Sequence, residues 1–285
     1  MSNLGSRWRE WRKHRKMLRR HRKRERRAHN RAQILIVSFP KSGRTWLRVL
    51  LGKLIADQFG LPEQKMLNSL DYSARAGLNP FHFTHDGSGT ADQLTARQLQ
   101  PRKRRFRHKK VILMFRHPLD IVVSHFFEAK YREWVFEGDI GEFLRDEKFG
   151  LPKIVRFYRI WNDQRHVPRD FLLVRYEDLH ADPHHTLRRV VDFMGFPGVS
   201  EAQIERAVEF ARFENMKNME KQSVFGDKIL APRKAQDNRT YKVREGKVGN
   251  YQAYLDERDI AWADLYMKEQ ACPFLNDAAE RTDAA

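Results

Sequence analysis

The stretch from Ile34 to Trp46 constrains the fold of this chain more than any other part of the sequence. Its first five residues, Ile-Leu-Ile-Val-Ser, are mostly apolar and β-branched, which is typical of a buried strand. The chain then breaks at Pro40, turns at Gly43 and continues as a helical pattern whose apolar face consists of Leu47, Leu50, Leu51, Leu54 and Ile55. A strand, a tight turn and a helix N-terminus in succession aim backbone N–H groups at one point, and such a point binds phosphate or sulfate groups.

Side chains in the same loop strengthen the prediction of an anion site. Lys41 supplies a cation, and Ser42 and Thr45 supply hydroxyl donors. The loop is not a Walker P-loop, because that motif places its lysine after the second of two glycines, whereas Lys41 precedes Gly43. The alternative is an ordinary turn between a strand and a helix that carries a surface lysine.

The alternation of strand and helix patterns predicts the fold class. Two further buried strands are predicted over 111–115 and 171–176, and each is followed by a helical pattern. Helix start and stop signals lie at Pro118, Asp182-Pro183, the capping box of Ser200 with Gln203, and the C-terminal cap Gly195. We therefore predict an α/β, P-loop-like domain of three layers, in which helices cover both faces of a central parallel sheet.

A ligand site is expected at one edge of that sheet. Parallel sheets bind ligands at the carboxyl ends of their strands, where Lys41, Arg116 and Tyr176 fall. Turn signals predict that residues 60–100 are loop and short helix and form one wall of the cleft. Residues 131–170 are predicted to be helical. Residues 226–250 are predicted to be a mobile basic loop whose glycines approach a phosphate.

Positive charge is concentrated at the N-terminus of the chain. The net charge is +18, and residues 1–31 carry 14 Lys and Arg against two Glu, which is +12 and leaves +6 for the rest. One helical stripe of this segment holds the apolar residues Leu4, Trp8, Trp11 and Leu18. We predict a basic amphipathic arm over 1–31 that suits an anionic membrane surface or an anionic polymer. The alternative is a solvated arm without a specific partner.

Composition also bears on the compartment and the domain limits. The sequence has neither a run of about 18 apolar residues nor a secretory signal, so we expect no membrane span. Its single cysteine, Cys272, excludes an internal disulfide, which fits a reducing compartment. We expect a cytoplasmic protein, peripheral to a membrane where the arm binds one. The main domain is predicted over 32–275 and a frayed tail over 276–285.

Five segments of the chain, in order, resemble the cytosolic-type sulfotransferases that use 3′-phosphoadenosine 5′-phosphosulfate (PAPS). The loop Pro-Lys-Ser-Gly-Arg-Thr-Trp at 40–46 resembles the PKSGTTW loop of that family. Arg116 and Ser124 resemble its Arg–Ser pair, which stands eight residues apart after a strand. The remaining matches are Thr84-His85, Tyr176 in Tyr-Glu-Asp-Leu, and Arg244-x-Gly246-x-x-Gly249. Together they cover nearly all of residues 33–270.

This resemblance implies where the donor PAPS binds. The 5′-phosphosulfate would be gripped by Lys41, Ser42, Gly43, Arg44, Thr45 and Trp46. The 3′-phosphate would be held by Arg116 and Ser124, and the segment Arg244, Glu245 and Gly246 would close over it. Tyr176 would contact the adenine and Phe213 would stack on it. No metal is expected, because a sulfuryl group carries less charge than a phosphoryl group.

The resemblance also implies in-line transfer of the sulfuryl group to a hydroxyl or an amine. His85 is the expected general base, and Lys41 is the expected cation at the bridging and leaving oxygens. The family pattern has Thr, Lys and Lys where this chain has Arg44, Phe83 and Glu245, and it has Asp-Trp where this chain has Asn250-Tyr251. Because Phe83 lies so close to His85, the neighbouring His82 and Asp86 are alternative bases.

Two other classes of function remain open from the sequence. One is a P-loop-like nucleotide kinase or NTPase, although the second strand ends in Arg116 where such an enzyme needs a metal-binding Asp. The other is an adaptor that binds a membrane or nucleic acid through the arm. For the sulfotransferase we expect a small-molecule, glycan or lipid acceptor and no specific nucleic-acid partner.

Overall fold

A parallel four-stranded sheet forms the centre of the protein. The structure, a computed structural model, describes residues 3–226, 229–234 and 236–275. The strands are β1 (Ile34–Ser38), β2 (Phe81–Thr84), β3 (Lys110–Phe115) and β4 (Asp170–Arg175). Their spatial order is β2-β1-β3-β4. In register, Val37 pairs with Thr84 on one side and Leu113 on the other, so the carboxyl ends of the strands lie along one edge.

Helices connect the strands and cover both faces of the sheet. In chain order they are α1 (Asn3–Arg31), α2 (Arg44–Phe59), α3 (Ser69–Arg75), α4 (Pro118–Phe127), α5 (Ile140–Arg145), α6 (Leu151–Asp163), α7 (Tyr176–Ala181), α8 (Pro183–Met194), α9 (Glu201–Phe210), α10 (Phe213–Gln222) and α11 (Glu257–Glu269). A π-helical turn over Glu128–Arg132 extends α4. Short 3₁₀ turns complete the connections.

Two hydrophobic cores, one on each face, stabilise the sheet. Alternate residues of β1 point to opposite faces, so Leu35 and Val37 join a core with α4, α6 and α11, while Ile34 and Ile36 join a core with α2, α8 and α9. Every residue of β1 is buried. The uninterrupted apolar run in the sequence therefore reflects a strand covered on both sides, and the predicted three-layer α/β arrangement is confirmed.

The predicted helix signals are found at the expected ends. Pro118 stands in the first turn of α4. Asp182 accepts a hydrogen bond from the backbone N–H of His185 at the start of α8, and Gly195 ends that helix with φ 71°. Ser200 and Gln203 form both hydrogen bonds of a capping box.

The prediction of loop and short helix over 60–100 is wrong at β2. Phe81–Thr84 is a strand that pairs with β1 at the sheet edge. The run alternates between buried Phe81 and Phe83 and the more polar His82 and Thr84, but four residues are too few for alternation to outweigh the surrounding turn signals. This strand matters for function, because it ends directly before His85.

The prediction of helix over 131–170 is confirmed over α5 and α6 but is wrong for the residues outside them that follow Arg132. The π-helical turn ends at Arg132. Trp134 then takes a positive φ of 50°, which lies outside the range of a right-handed helix, so the helix cannot continue through it. A new helix begins only at α5, where Asp139 and Glu142 form a capping box. The aromatic residues of this region suggested one helix because they serve one core from two helices, α5 and α6.

The last turns of α1 pack against the domain. Ala28 and Ala32 are buried in the core, and His29 Nε2 lies 3.0 Å from the carbonyl oxygen of Arg105. Leu18 is half-buried, whereas Leu4, Trp8 and Trp11 of the predicted stripe have side chains outside the described residues, as does the predicted tail 276–285. Within the described chain, no helix combines the length and apolar character that a membrane span needs.

The loop over 226–250, here named the late loop, was predicted to be mobile, but its described residues are packed against the domain. Leu230 and Thr240 are buried, although the segment has few apolar residues. Arg132 donates hydrogen bonds to the carbonyl oxygens of Thr240 at 2.7 Å and Ala231 at 2.9 Å. The buried guanidinium of Arg132 thus satisfies backbone carbonyl groups of the loop. Such long-range hydrogen bonds leave no periodic pattern in the sequence, so the packing of the loop could not be predicted from it.

Candidate active site

One cavity of about 530 Å³ opens at the carboxyl edge of the sheet. Its walls come from the β1–α2 loop, the end of β2, α4, α7, α10 and the late loop. All but one of the predicted site residues line it, namely Lys41, Gly43, Arg44, Thr45, Trp46, His85, Arg116, Ser124, Tyr176, Phe213, Arg244, Glu245 and Gly246. Ser42 is the exception.

The β1–α2 loop turns sharply so that the N-terminus of α2 faces the cavity. Lys41 and Gly43 take φ values of 72° and 86°, and the helix begins at Arg44. Its first N–H groups lack intrahelical partners and carry the positive end of the helix dipole. A Cβ atom on Gly43 would lie 2.6 Å from the ring of Tyr176, so glycine is needed for this close approach.

Ser42 departs from its predicted role as a hydroxyl donor to the anion. Its side chain is buried, and its Oγ lies 3.2 Å from the hydroxyl of Tyr158. That hydroxyl also accepts a hydrogen bond from the backbone N–H of Arg116 at 3.2 Å. Ser42 therefore ties the loop to the end of β3, because the tight turn directs its side chain into the core.

Arg116 joins three segments at the end of β3. Its guanidinium donates to the carbonyl oxygens of Lys41 and Lys247, each at 3.1 Å, and lies 4.3 Å from the centre of the Tyr176 ring. Its Nε is buried without a hydrogen-bond partner in the described chain. Asp120, one helical turn on, lies 3.8 Å from the guanidinium and accepts the backbone N–H of Gly249 at 2.9 Å.

Aromatic side chains form one end of the cavity. The rings of Trp46 and Tyr176 lie 6.0 Å apart in an edge-on arrangement. Phe213, at the start of α10, packs so closely on Gly246 that a side chain at Gly246 would clash with its ring. This end of the cavity therefore offers flat apolar surfaces, which suit a planar base.

Arg244 and Glu245 pair with each other at the rim of the cavity. Arg244 also donates to the hydroxyl of Tyr254 at 2.6 Å and stacks 3.9 Å from the ring centre of Phe127. Glu245 accepts further hydrogen bonds from Asn250 and Tyr254. The positive charge of Arg244 is thus balanced within the late loop.

His85 directly follows β2 and faces the cavity. Its Nδ1 lies 2.9 Å from the carbonyl oxygen of Ser38, so Nδ1 carries the proton and donates it, while Nε2 is left as an acceptor. Burial, and then the charge of Arg44, lower the pKa of His85 well below its ordinary value. The imidazole is neutral at neutral pH, which is the state that a general base requires.

The two alternative bases point elsewhere. His82 Nε2 lies 3.3 Å from Glu25 Oε2 of α1. Asp86 is buried and ion-paired with Lys103 at 2.6 Å and with Arg105. Neither belongs to the described residues that line the cavity, whereas His85 does.

Comparison with known proteins identifies the family. The sulfotransferase domain matches residues 31–272, which is most of the chain. The chain belongs to the sulfotransferase family. The predictions of the family and of a PAPS-dependent sulfotransferase enzyme are thereby confirmed.

Relatives and solved structures of this sulfotransferase are moderately distant. Flavonol 3-sulfotransferase of Flaveria bidentis is 23% identical over 83% of this chain and 81% of that protein. Cytosolic sulfotransferase 17 of Arabidopsis thaliana is 26% identical over 82% and 73%. Mouse sulfotransferase SULT7A1 complexed with PAP has a TM-score of 0.59 at 19% identity, over 84% of each chain. Retinol dehydratase with androsterone and the inactive cofactor PAP has a TM-score of 0.58 at 21% identity, over 83% and 80%. These likenesses confirm the predicted P-loop-like fold.

The charged cavity residues that were not predicted as site residues include Glu128 and Lys242. Glu128 Oε2 lies 3.1 Å from Lys41 Nζ. Burial raises the pKa of Glu128, but the charges of Lys41 and Lys242 outweigh burial and hold it well below its usual range. Burial lowers the pKa of Lys242 to about 8. Glu128 follows Ser124 by one helical turn, and this spacing could have placed it in the predicted site. No neighbouring motif in the sequence indicates that Lys242 belongs to the site.

Proposed function

We propose that this sulfotransferase moves the sulfuryl group of PAPS to a hydroxyl or amine of a small-molecule acceptor, with His85 as the general base. One observation carries the proposal. A neutral imidazole, held through Nδ1 by the Ser38 carbonyl, lines the same cavity as Lys41 and the N-terminus of α2. A base and an anion site in one cavity are what transfer to a neutral nucleophile needs.

We assign the donor end of the cavity to the residues that would hold PAPS. The 5′-phosphosulfate lies at Lys41, Gly43, Arg44 and Thr45, with Ser42 contributing through its backbone. The 3′-phosphate lies at Arg116 and Ser124, under Arg244, Glu245 and Gly246. The adenine lies between Trp46, Tyr176 and Phe213. The free buried Nε of Arg116 supports this assignment, because an anion would satisfy it.

We assign the acceptor end of the cavity to His85, Thr90, Glu128 and Lys242. The acceptor oxygen or nitrogen attacks sulfur, and its proton moves to His85 Nε2. The bond between sulfur and the bridging oxygen breaks, and its electron pair stays on the 5′-phosphate of the product PAP. Lys41 neutralises the charge that grows on that oxygen, which requires it to exchange Glu128 for the donor.

The acceptor class follows from the relatives and the cavity. Two of the similar proteins are named for flavonols and for retinol. We propose a small hydroxyl compound, and glycans, lipids and amines belong in the same screen. The screen incubates the full chain with PAPS and an acceptor panel and detects sulfated products by mass. Transfer to none of the compounds, together with no release of sulfate to water, would refute sulfuryl transfer.

Ligand binding separates this proposal from a nucleotide kinase. PAP should raise the melting temperature of the full chain, because a ligand that binds the native state stabilises it. ATP with magnesium should raise it much less, since the 3′-phosphate contacts of Arg116 and Ser124 are then unused. Equal shifts, or a strict need for magnesium in turnover, would support the kinase.

We propose that α1 brings the enzyme to an anionic membrane surface on the cytoplasmic side. The side chains from Arg19 to Arg24 are all exposed, and each is a lysine or an arginine except His21. A cytosolic relative supports the compartment. The domain limits 1–31, 32–275 and 276–285 remain part of this proposal, with the packing of Glu25 and Ala28 placing the last turns of α1 against the main domain.

A further inference from the structure

A buried network of charged groups holds the late loop against the acceptor end. Glu220 of α10 is fully buried, and its two carboxylate oxygens accept the backbone N–H groups of Lys242 at 2.8 Å and Val243 at 2.9 Å. Arg132 lies 3.5 Å from Glu220 and donates to the Thr240 carbonyl at 2.7 Å. Burying two charges is costly unless geometry and hydrogen bonds compensate, so this network fixes the backbone at Lys242 firmly.

The side chain of Lys242 lines the cavity from that fixed backbone. Its surroundings are charged on several elements. Glu128 of the π-helical turn attracts its ammonium, whereas Arg132 of the same turn, Lys41 of the β1–α2 loop and Arg44 of α2 repel it. Its charge also reaches the imidazole of His85 at the end of β2 and helps to keep that ring neutral.

The end of β2 contributes a base to the cavity without a cation beside it. Phe83, two residues before His85, is buried, and the guanidinium of Arg48 stacks 4.5 Å from its ring centre. Positive charge at the acceptor end therefore comes from another part of the chain. Lys242, which is half-buried, is the amine that the late loop brings there.

We propose that Lys242 is a further catalytic residue, a second cation that neutralises the sulfuryl oxygens during transfer. The inference rests on the proposed sulfuryl transfer. Lys41 Nζ lies 3.1 Å from Glu128, whose charge also attracts Lys242, so an arriving sulfuryl anion gives both cations a second negative partner in the same cavity. Fixed charge at the place where oxygens gather negative charge lowers the barrier without reorganisation.

The first test compares Lys242→Met with wild type in single-turnover transfer from PAPS, to the acceptor found in the screen or to water with inorganic sulfate as readout. Loss of one preorganised charge should slow transfer by about 10² to 10³-fold. Affinity for PAP should change less than about threefold, because PAP lacks the sulfuryl group. Lys234→Met is the matched control, since Lys234 is an exposed lysine of the same loop and should leave both values unchanged.

The second test uses pH and Lys242→Arg. Lys242 acts as a cation below its pKa, so kcat/KM of the wild type should fall as pH rises through about 8. Lys242→Arg should keep transfer within about tenfold and lose this alkaline limb, since a guanidinium stays charged. This variant also decides the matter if Lys242→Met does not fold. An alkaline limb that stays in Lys242→Arg would overturn the inference.

The outcomes separate the inference from the proposed function. If the wild type transfers the sulfuryl group and Lys242→Met keeps its single-turnover rate within threefold, Lys242 is not catalytic and the proposed function stands. If the wild type transfers to no acceptor and not to water, the proposed function fails first. A slower variant with weaker PAP binding to the same degree would point to a structural role and would also overturn the inference.

Discussion

The donor end and the acceptor end of the cavity differ in how their side chains are held. At the donor end, backbone groups dominate. The first N–H groups of α2 follow Gly43, and the Arg116 side chain donates to the backbone carbonyl of Lys41. At the acceptor end, His85, Glu128 and Lys242 come from three separate elements and depend on one another through charge. The anion site at the start of α2 is therefore local in origin, whereas the acceptor end is a product of long-range packing.

This difference bears on how each end tolerates change. A helix N-terminus binds an anion whatever the nearby side chains are, because its donors are backbone groups. A buried set of charges depends on every member, since removing one partner leaves another unpaired. We expect substitutions at the acceptor end to alter rate and pH dependence, and substitutions at the donor end to alter affinity.

The largest expected effect is at His85. His85→Ala should lower turnover by about 10² to 10⁴-fold at saturating PAPS, because a general base contributes that much, while PAP affinity stays near the wild-type value. The low pKa of His85 also sets the pH dependence. The imidazole is a base only above its pKa, so the acid limb of wild-type kcat/KM should lie below pH 6.5 and disappear in the variant.

The matched control for that experiment is His82→Ala, because the His82 side chain contacts Glu25 and does not line the cavity. It should turn over at close to the wild-type rate. Wild-type turnover by His85→Ala with an unchanged acid limb would remove His85 from the mechanism and return the search to His82 and Asp86.

The next effect tests the donor end. Arg116→Ala should weaken PAP binding by about 2 kcal/mol or more, the size of a lost charge-assisted contact. Calorimetry with PAP measures it, and circular dichroism checks the fold, since Arg116 also bonds the Lys41 and Lys247 carbonyls. Unchanged affinity in a folded variant would exclude Arg116 from the donor site and weaken the contrast between the ends.

A smaller effect concerns the support beneath the acceptor end. His125 is fully buried, and its ring nitrogens lie 3.0 Å from Thr90 Oγ1 and 3.1 Å from the Phe149 carbonyl. Burial lowers the pKa of His125 to about 4. Below pH 6.5 the His125 ring therefore binds a proton in the unfolded chain but stays neutral in the native state until the pH approaches 4. The contribution of neutral His125 to the free energy of unfolding is complete above pH 6.5 and decreases as the pH falls from 6.5 towards 4.

Urea unfolding measures this loss. Between pH 7.5 and 5.5 the wild type should lose about 1 kcal/mol more unfolding free energy than His125→Gln, which carries no titrating ring. The variant will be less stable at every pH, so the slope with pH is the quantity to compare. Equal slopes would mean that His125 is not the titrating group.

The smallest expected effect on catalysis comes from α1, which belongs to neither end. A variant without residues 1–20 loses eight Lys and Arg and one Glu. It should keep wild-type turnover on a soluble acceptor and bind anionic vesicles more weakly, with a shallower salt dependence. A cut after residue 31 should also lower stability, because it removes Ala28 and the contacts of His29 with the domain.

If the variant without residues 1–20 binds anionic vesicles as strongly as the wild type, the proposal that α1 binds a membrane surface is wrong. A folded variant that loses turnover would instead attach the arm to the active site, through Glu25 and its contacts with His82 and Thr84.

Sequence alone determined the parts of this protein that short-range physics decides. The β1–α2 loop was predictable because a strand, a turn and a helix follow one another within 34–46. The three-layer fold was predictable because β1 and β3 are apolar except for Ser38 and Lys110 at their ends. Helix ends at Pro118, Asp182, Gly195 and Ser200 follow from local hydrogen bonds. Thirteen of the fourteen predicted site residues line the cavity for the same reason, since each lies next to the end of a strand or in a short motif.

Tertiary structure alone decided what depends on distant partners. It turned Ser42 into the core, because Tyr158 lies across from it on α6. It made Phe81–Thr84 a strand, because β1 offers an open edge that four residues can pair with. It brought Glu128 and Lys242 into one cavity across more than a hundred residues of chain, and Arg132 and Glu220 hold the backbone beside Lys242. Buried charges are positioned by the partners that offset their desolvation, and those partners have no fixed spacing in sequence.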